Sequence, residues 1–284
     1  MLKIKPAHFI FMYHRVNDGN HNIFSGLDIG ILEKQIKALK RYFKFVTLSE
    51  FVGLINNSDK PLTVITFDDG YKNTFTNAFP ILKKNNLPAT VFLTTGVIDN
   101  DDIIWTDKLS MLKRTDAASL EKLKTELKNV PNSDKENRIK QWESCPGIDY
   151  KSIPEAEKML SWDEVKIMAK EPNIEFGAHT VNHLILTKVN KEEAEKEIID
   201  SKQKIETELS RKITAFCYPN GQAGDFNEAV IEILRENGFT CAVTTIEGKI
   251  KKDDNNFALK RISLGERPPH LVVLKIIKEV LKNV

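Results

Sequence analysis

Short apolar runs alternating with amphipathic helical stretches constrain this chain more than any other feature. "HFIFMY" (8–13), "TVITF" (63–67), "ATVFLTT" (89–95), "NIEFGA" (173–178), "ITAFCY" (213–218), "TCAVTT" (240–245) and "LKRISL" (259–264) read as strands, with "FKFVTL" (43–48) as a shorter one. The stretches between them carry helix signals. Asn190 caps a helix over 190–209, with Glu193 at the capping-box position and Ala194, Ile198, Ile205 and Leu209 on one face. A second runs from Asn227 to Asn237 with Gly238 just past its end, and a third covers 31–42. Ser161 and Glu164 make a capping box for a fourth. Strand then helix, repeated about seven times, predicts a parallel sheet with helices outside, and that many units favour a closed barrel over an open sheet.

From about 99 to 160 the rhythm stops: no strand is legible, and Leu120, Leu123 and Leu127 mark a helix in a lysine- and glutamate-rich surface. We read a helical insertion within a single domain spanning 1–284, either a lid over a site or a solvated excursion. Composition agrees with one globular α/β domain: 284 residues, 41% hydrophobic and 29% charged. A formal charge of +2 gives no reason to expect nucleic acid or an acidic membrane surface as partner. Cys145, Cys217 and Cys241 are odd in number and lack CxxC spacing, so they read as reduced. Phe9 to Tyr13 is too short for a secretory core, and no run reaches the roughly 20 apolar residues of a membrane span. The expected location is cytoplasmic; the oligomeric state is left open.

In barrels of parallel strands the chemistry sits at the strand ends, and three ends carry unusual side chains. "VITF" runs into Asp68-Asp69-Gly70, where an ionised acid at the mouth of a buried strand loses hydration unless a cation or a reacting proton compensates. "NIEFGA" runs into His179 and, four residues on, His183, which is metal-ligand spacing. "ITAFC" runs into Tyr218-Pro219-Asn220-Gly221. One carboxylate and two imidazoles would leave coordination positions for water and substrate, as a hydrolytic metal needs. With Asp69 as the third ligand, Asp68 is free to take a proton.

"TFDDG", "HTVNH" and "YPNG", in this order, resemble the first three motifs of the polysaccharide deacetylase family, the NodB-homology carbohydrate esterases. "MYHRV" (12–16) is similar to the opening of the branch that contains poly-N-acetylglucosamine deacetylases. The resemblance covers most of 8–98 and 160–265. It implies a distorted (β/α)7 TIM-like barrel and one divalent metal, zinc first, with cobalt, nickel or another divalent ion also compatible. Asp69, His179 and His183 match the metal ligands, and Asp68 matches the catalytic base. The backbone N–H of Tyr218 is expected to hold the oxyanion. The implied substrate is an N-acetylated sugar or glycan, deacetylated by hydrolysis.

Two departures from the family pattern matter. Cys217 stands where many members carry an arginine that steers the base, and Arg261 is the candidate replacement, a rim arginine being the alternative. A late histidine motif for the general acid is missing, since His270 in "RPPHLVVL" opens a helix. His14, at the end of the first strand, is the candidate to orient Asp68 or protonate the leaving amine; a structural rim histidine is the alternative. Trp105, with Asp107, and Trp162 are candidates for stacking on a sugar, against simple core packing. Two other functions stay open: the same site acting on a non-sugar amide or ester, and an inactive carbohydrate-binding homologue.

Overall fold

The structure is a computed structural model describing residues 7–19, 23–100, 102–111, 116–143 and 153–282. His21 and Cys145 lie outside the described residues. Ten strands are present among them: β1 (Phe9–Tyr13), β2 (Val16–Asn17), β3 (Leu27–Asp28), β4 (Lys44–Phe45), β5 (Leu62–Phe67), β6 (Ala89–Leu93), β7 (Ile174–Ala178), β8 (Ala215–Cys217), β9 (Cys241–Glu247) and β10 (Leu259–Ser263). The helices are α1 (Ile29–Leu39), α2 (Leu48–Leu54), α3 (Phe79–Lys84), α4 (Trp105–Ser110), α5 (Ala117–Lys128), α6 (Asn132–Glu143), α7 (Trp162–Ala169), α8 (Lys191–Leu209), α9 (Glu228–Glu236) and α10 (Pro269–Leu281).

β1 and β5 to β10 form a closed parallel ring of seven, β10 pairing β1 at Phe11 and Met12 and so shutting the barrel. The (β/α)7 expectation holds. The distortion lies at β4, which pairs only with Leu62 and Thr63 at the start of β5, after which β6 takes over that edge at Thr66 and Phe67. Here the sequence misleads: "FKFVTL" carries strand residues, but Thr47 accepts from the Glu50 N–H in a capping box and starts α2. The capped ends at Ser161 and Asn190 are as expected.

Period-two alternation sorts each strand onto two apolar clusters. Ile10, Leu62, Val64, Phe92, Ala215, Cys217, Val243 and Leu259 form the barrel interior. Phe9, Phe11, Ile65, Phe67, Val91, Phe176, Phe216 and Ile262 pack against the helices. Every residue of β5 is buried, as a strand covered on both faces requires. Each such Val, Ile or Phe contributes about 1.5–3 kcal/mol on burial.

The insertion between β6 and β7 carries α4, α5 and α6, with no strand among its described residues. Leu120 and Leu123 of α5 pack on a small core of its own, Trp105, Leu109, Leu127 and Ile139. It is anchored, not merely solvated. Arg15, just past β1, donates to Asp107 Oδ2 at 2.7 Å and to the Glu157 carbonyl at 2.7 Å, with its guanidinium 3.6 Å from the centroid of the Tyr71 ring.

Candidate active site

Strand parity builds most of the site. Continuing the interior faces of β1, β5, β7, β8 and β10 by two residues at a time brings His14, Asp68, His179, Cys217 and Arg261 to the mouth of the barrel. Asp69 breaks the alternation. Its φ of 75°, followed by 86° at Gly70, turns the chain left-handed and swings the second carboxylate to the neighbouring loop. Gly70 is needed there, because an added Cβ would also press on the Leu93 side chain at 3.3 Å.

The two adjacent acids meet different company. Asp68 is held by Arg261, whose Nη1 donates to Oδ1 at 2.7 Å and Nη2 to Oδ2 at 2.6 Å. Arg261 is 1% exposed, far from a rim position. It is fixed by Nε donating to the Thr244 carbonyl at 2.7 Å and Nη1 donating to Thr66 Oγ1 at 2.9 Å. Its Nη2 also lies 3.2 Å from Cys217 Sγ, so the thiol and the late-strand arginine share the space around one carboxylate. Burial alone would push Asp68 up; the Arg261 guanidinium outweighs it and holds the carboxyl below the usual range. His14, its side chain 45% exposed, places Nε2 3.9 Å from Asp68 Oδ2 on the open side.

Asp69 Oδ1 lies 3.2 Å from His179 Nε2 and 3.3 Å from His183 Nε2. Burial pushes this carboxyl up, and the two imidazoles hold it well below the usual range. These separations fit an ion better than direct hydrogen bonds. Donors ~2.1 Å from one ion at a tetrahedral angle stand ~3.4 Å apart, while charge-assisted hydrogen bonds close to about 2.7–2.9 Å. His179 Nδ1 sits 2.7 Å from the Cys217 carbonyl. It donates there in the tautomer that leaves Nε2 a free lone pair, the usual arrangement of a ligating histidine. His183 Nδ1 is buried without a hydrogen-bond partner among the described residues.

The loop carrying the histidines is strained and clamped. Thr180 has φ 65° and His183 φ 55°, a conformation a β-branched residue rarely adopts. Glu197 of α8 accepts from the Val181 and Asn182 N–H groups at 2.9 and 2.8 Å. On the other side Gly96 N–H donates to the Val181 carbonyl at 2.8 Å, where an added Cβ at Gly96 would sit 2.7 Å from the same oxygen. Trp105 Nε1 donates to the His183 carbonyl at 3.3 Å.

Some expectations need correction. The Tyr218 N–H donates to the Val243 carbonyl at 3.2 Å and its hydroxyl donates to the Phe257 carbonyl at 2.9 Å, so the N–H expected to meet an oxyanion is occupied by the sheet. Asn220, at φ 61° in the same turn, has no partner for its N–H among the described residues. Trp105 and Trp162 are buried: the first packs under Lys135, the second under Lys204, and neither offers a face to a sugar. Residues the sequence did not single out are Arg15, Tyr71 and Glu197. Buried Tyr71 lies between Asp69 and Asp107, and burial with these two carboxylates raises its hydroxyl well above the ordinary value. Nothing in spacing marks Arg15 or Glu197, because each acts on a distant segment.

A parallel barrel with a two-imidazole, one-carboxylate cluster beside a second, clamped acid is the layout of a barrel hydrolase. The chain belongs to the polysaccharide deacetylase family, which it matches over residues 55–242. It is 23% identical over 270 residues to YxkH of Bacillus subtilis (strain 168), a protein named for the same family, covering 92% of this chain and 73% of that one. It is 33% identical over 134 residues to the poly-beta-1,6-N-acetyl-D-glucosamine N-deacetylase of Staphylococcus aureus (strain MSSA476), covering 45% of this chain and 46% of the relative. The chain thus aligns with less than half the length of that staphylococcal enzyme. In fold it is similar to the Streptococcus pyogenes deacetylase PplD in complex with acetate, with a TM-score of 0.67, 19% identity and coverage of 96% of this chain and 98% of that one.

Proposed function

We propose that this chain is a metal-dependent N-deacetylase of an amino-sugar polymer or oligosaccharide, acting as one catalytic unit. Asp69, His179 and His183 hold the ion and Asp68 is the general base. The observation that carries this reading is the division of labour between adjacent acids: Asp69 pairs with both imidazoles, whereas Asp68 pairs with Arg261, the nearby His179 and Cys217 lying within 4.8 Å. A divalent ion held there would polarise the acetyl carbonyl and lower the pKa of water. Two imidazoles and a carboxylate suit zinc, and also cobalt or nickel.

The chain's own groups supply the rest. Arg261 keeps Asp68 ionised and fixes its orientation, so the carboxylate is ready to take the proton of the attacking water. The proton then has to reach the leaving amine, and His14, opposite Arg261 at 3.9 Å from Asp68, is the side chain placed to deliver it. The Asn220 N–H, in the turn where Tyr218 was expected to serve, is the donor for the oxyanion. The reaction leaves acetate and a free amino sugar.

Acetate release from N-acetylglucosamine oligomers, β-1,6-linked first because a staphylococcal relative carries that name, tests the reading. Simple amides and esters run alongside identify an enzyme of other substrates. Stoichiometric metal with no acetate from any of them would leave an inactive carbohydrate-binding homologue. Asp68→Asn should lower turnover about 10²–10⁴-fold.

A further inference from the structure

We propose that the outward face of α10, together with the neighbouring face of α1, seats this protein on the surface of an anionic lipid bilayer. A helix packed on a barrel wall needs one apolar face, and α10 has two. Val272 and Ile276 are buried against the barrel. Leu271, Leu274, Ile277 and Leu281, three or four residues apart, form a second stripe that is 42%, 58%, 47% and 63% exposed. Half of the large hydrophobic side chains exposed among the described residues therefore lie on this one helix.

Charge identifies the occupant. The other exposed positions of α10 are His270 and Lys278, with Lys282 just past its end. Its one acid, Glu279, is turned inward and paired with Lys282. α1 packs alongside, tied at Gln35, whose Nε2 donates to the Gly265 and Arg267 carbonyls at 2.8 Å each. Its exposed positions include Lys34 and Lys37, followed by Lys40, whose Nζ donates to the Asn85 carbonyl at 3.4 Å, Arg41 and the exposed Tyr42. Glu33, paired with Lys37, Glu247, paired with Lys275, and the exposed Glu266 just before α10 are the acids on that side. Lysines and arginines thus outnumber acids around the apolar stripe. Leucines flanked by lysines match the boundary between acyl chains and anionic headgroups. A second copy of the chain is the competing occupant, and sedimentation velocity separates it from a bilayer. No helix among the described residues is long and apolar enough to cross a membrane, so the contact is a lying-on one. α10 leaves the strand-end side of the barrel after β10 and runs down its wall, so such docking leaves the mouth uncovered.

Co-sedimentation with phosphatidylcholine vesicles, with and without phosphatidylglycerol, tests this without reference to activity. Binding to the anionic vesicles should be at least about tenfold tighter and should weaken with salt. Leu274→Ser with Leu281→Ser should abolish it, and Lys278→Glu should remove the anionic preference. These positions are exposed, and unchanged circular dichroism and thermal midpoints confirm that the variants fold. Three results overturn the proposal: no vesicle binding, binding that survives the double serine variant, and a dimer in sedimentation velocity that the same variant dissolves.

Discussion

Asp68 and Arg261 face each other in a nearly dry space, and the pair fixes how the site responds to acid. The guanidinium holds the carboxyl below its ordinary range. The sign follows: the stabilisation is complete above the unfolded carboxyl's pKa and is lost as pH falls through the lower folded value. The acid limb of kcat/KM should therefore lie below the ordinary carboxylate range. In Arg261→Met the buried acid loses its partner, and the limb should move up by about 1–3 pH units in a pH–rate profile. At neutral pH that variant should lose about 3–5 kcal/mol in urea unfolding, a deficit that shrinks in acid as the carboxyl protonates. Arg261→Lys should restore charge but not the two-pronged grip, and fall between. For His14, wild-type turnover and pH profile in His14→Ala would remove it from proton transfer.

At the scale of elements, loops held by other elements do the positioning. Glu197 reaches from α8 to hold the turn between the two histidines. Glu197→Ala should leave the barrel folded yet weaken metal binding about 10–100-fold in a chelator-competition titration, because the strained Thr180–His183 loop loses its clamp. Much of this was legible in the sequence. Asp68, Asp69, His179 and His183 announced themselves as chemistry out of place at the ends of apolar runs, and the capped helices fell where Asn190 and Ser161 put them. Arg261 was legible only in part: "LKRISL" is apolar on both sides, so which residues face the interior emerges only once Leu259 is seen packed among Val64 and Cys217. The Tyr218 N–H was misread because a strand's hydrogen bonds belong to a partner far away in sequence. Glu197 and Tyr71 gave no signal, since a polar residue that holds a loop has the local pattern of any solvated one.

For the whole molecule, an ion held at the Asp69, His179 and His183 cluster would couple the site to folding. The three proposed ligands come from the end of β5 and the loop after β7, and an ion bound there only by the folded chain would stabilise it by mass action, about 2.7 kcal/mol at a hundredfold excess over Kd. Withdrawing metal with a chelator should lower Tm by roughly 5 °C in scanning calorimetry. His179→Ala should show no such difference between metal-loaded and stripped protein.

The last strand of the ring brings Asp68 its arginine, and with it comes a consequence for synthesis. β10 both shuts the barrel against β1 and delivers Arg261 to Asp68. A nascent chain that has displayed both acids and both histidines still lacks the cation that readies one of those acids, together with the seam that makes the barrel whole. Competence therefore arrives only once β10 has joined β1, and a shortened product lacking that strand would carry every proposed ligand and is expected to hydrolyse nothing.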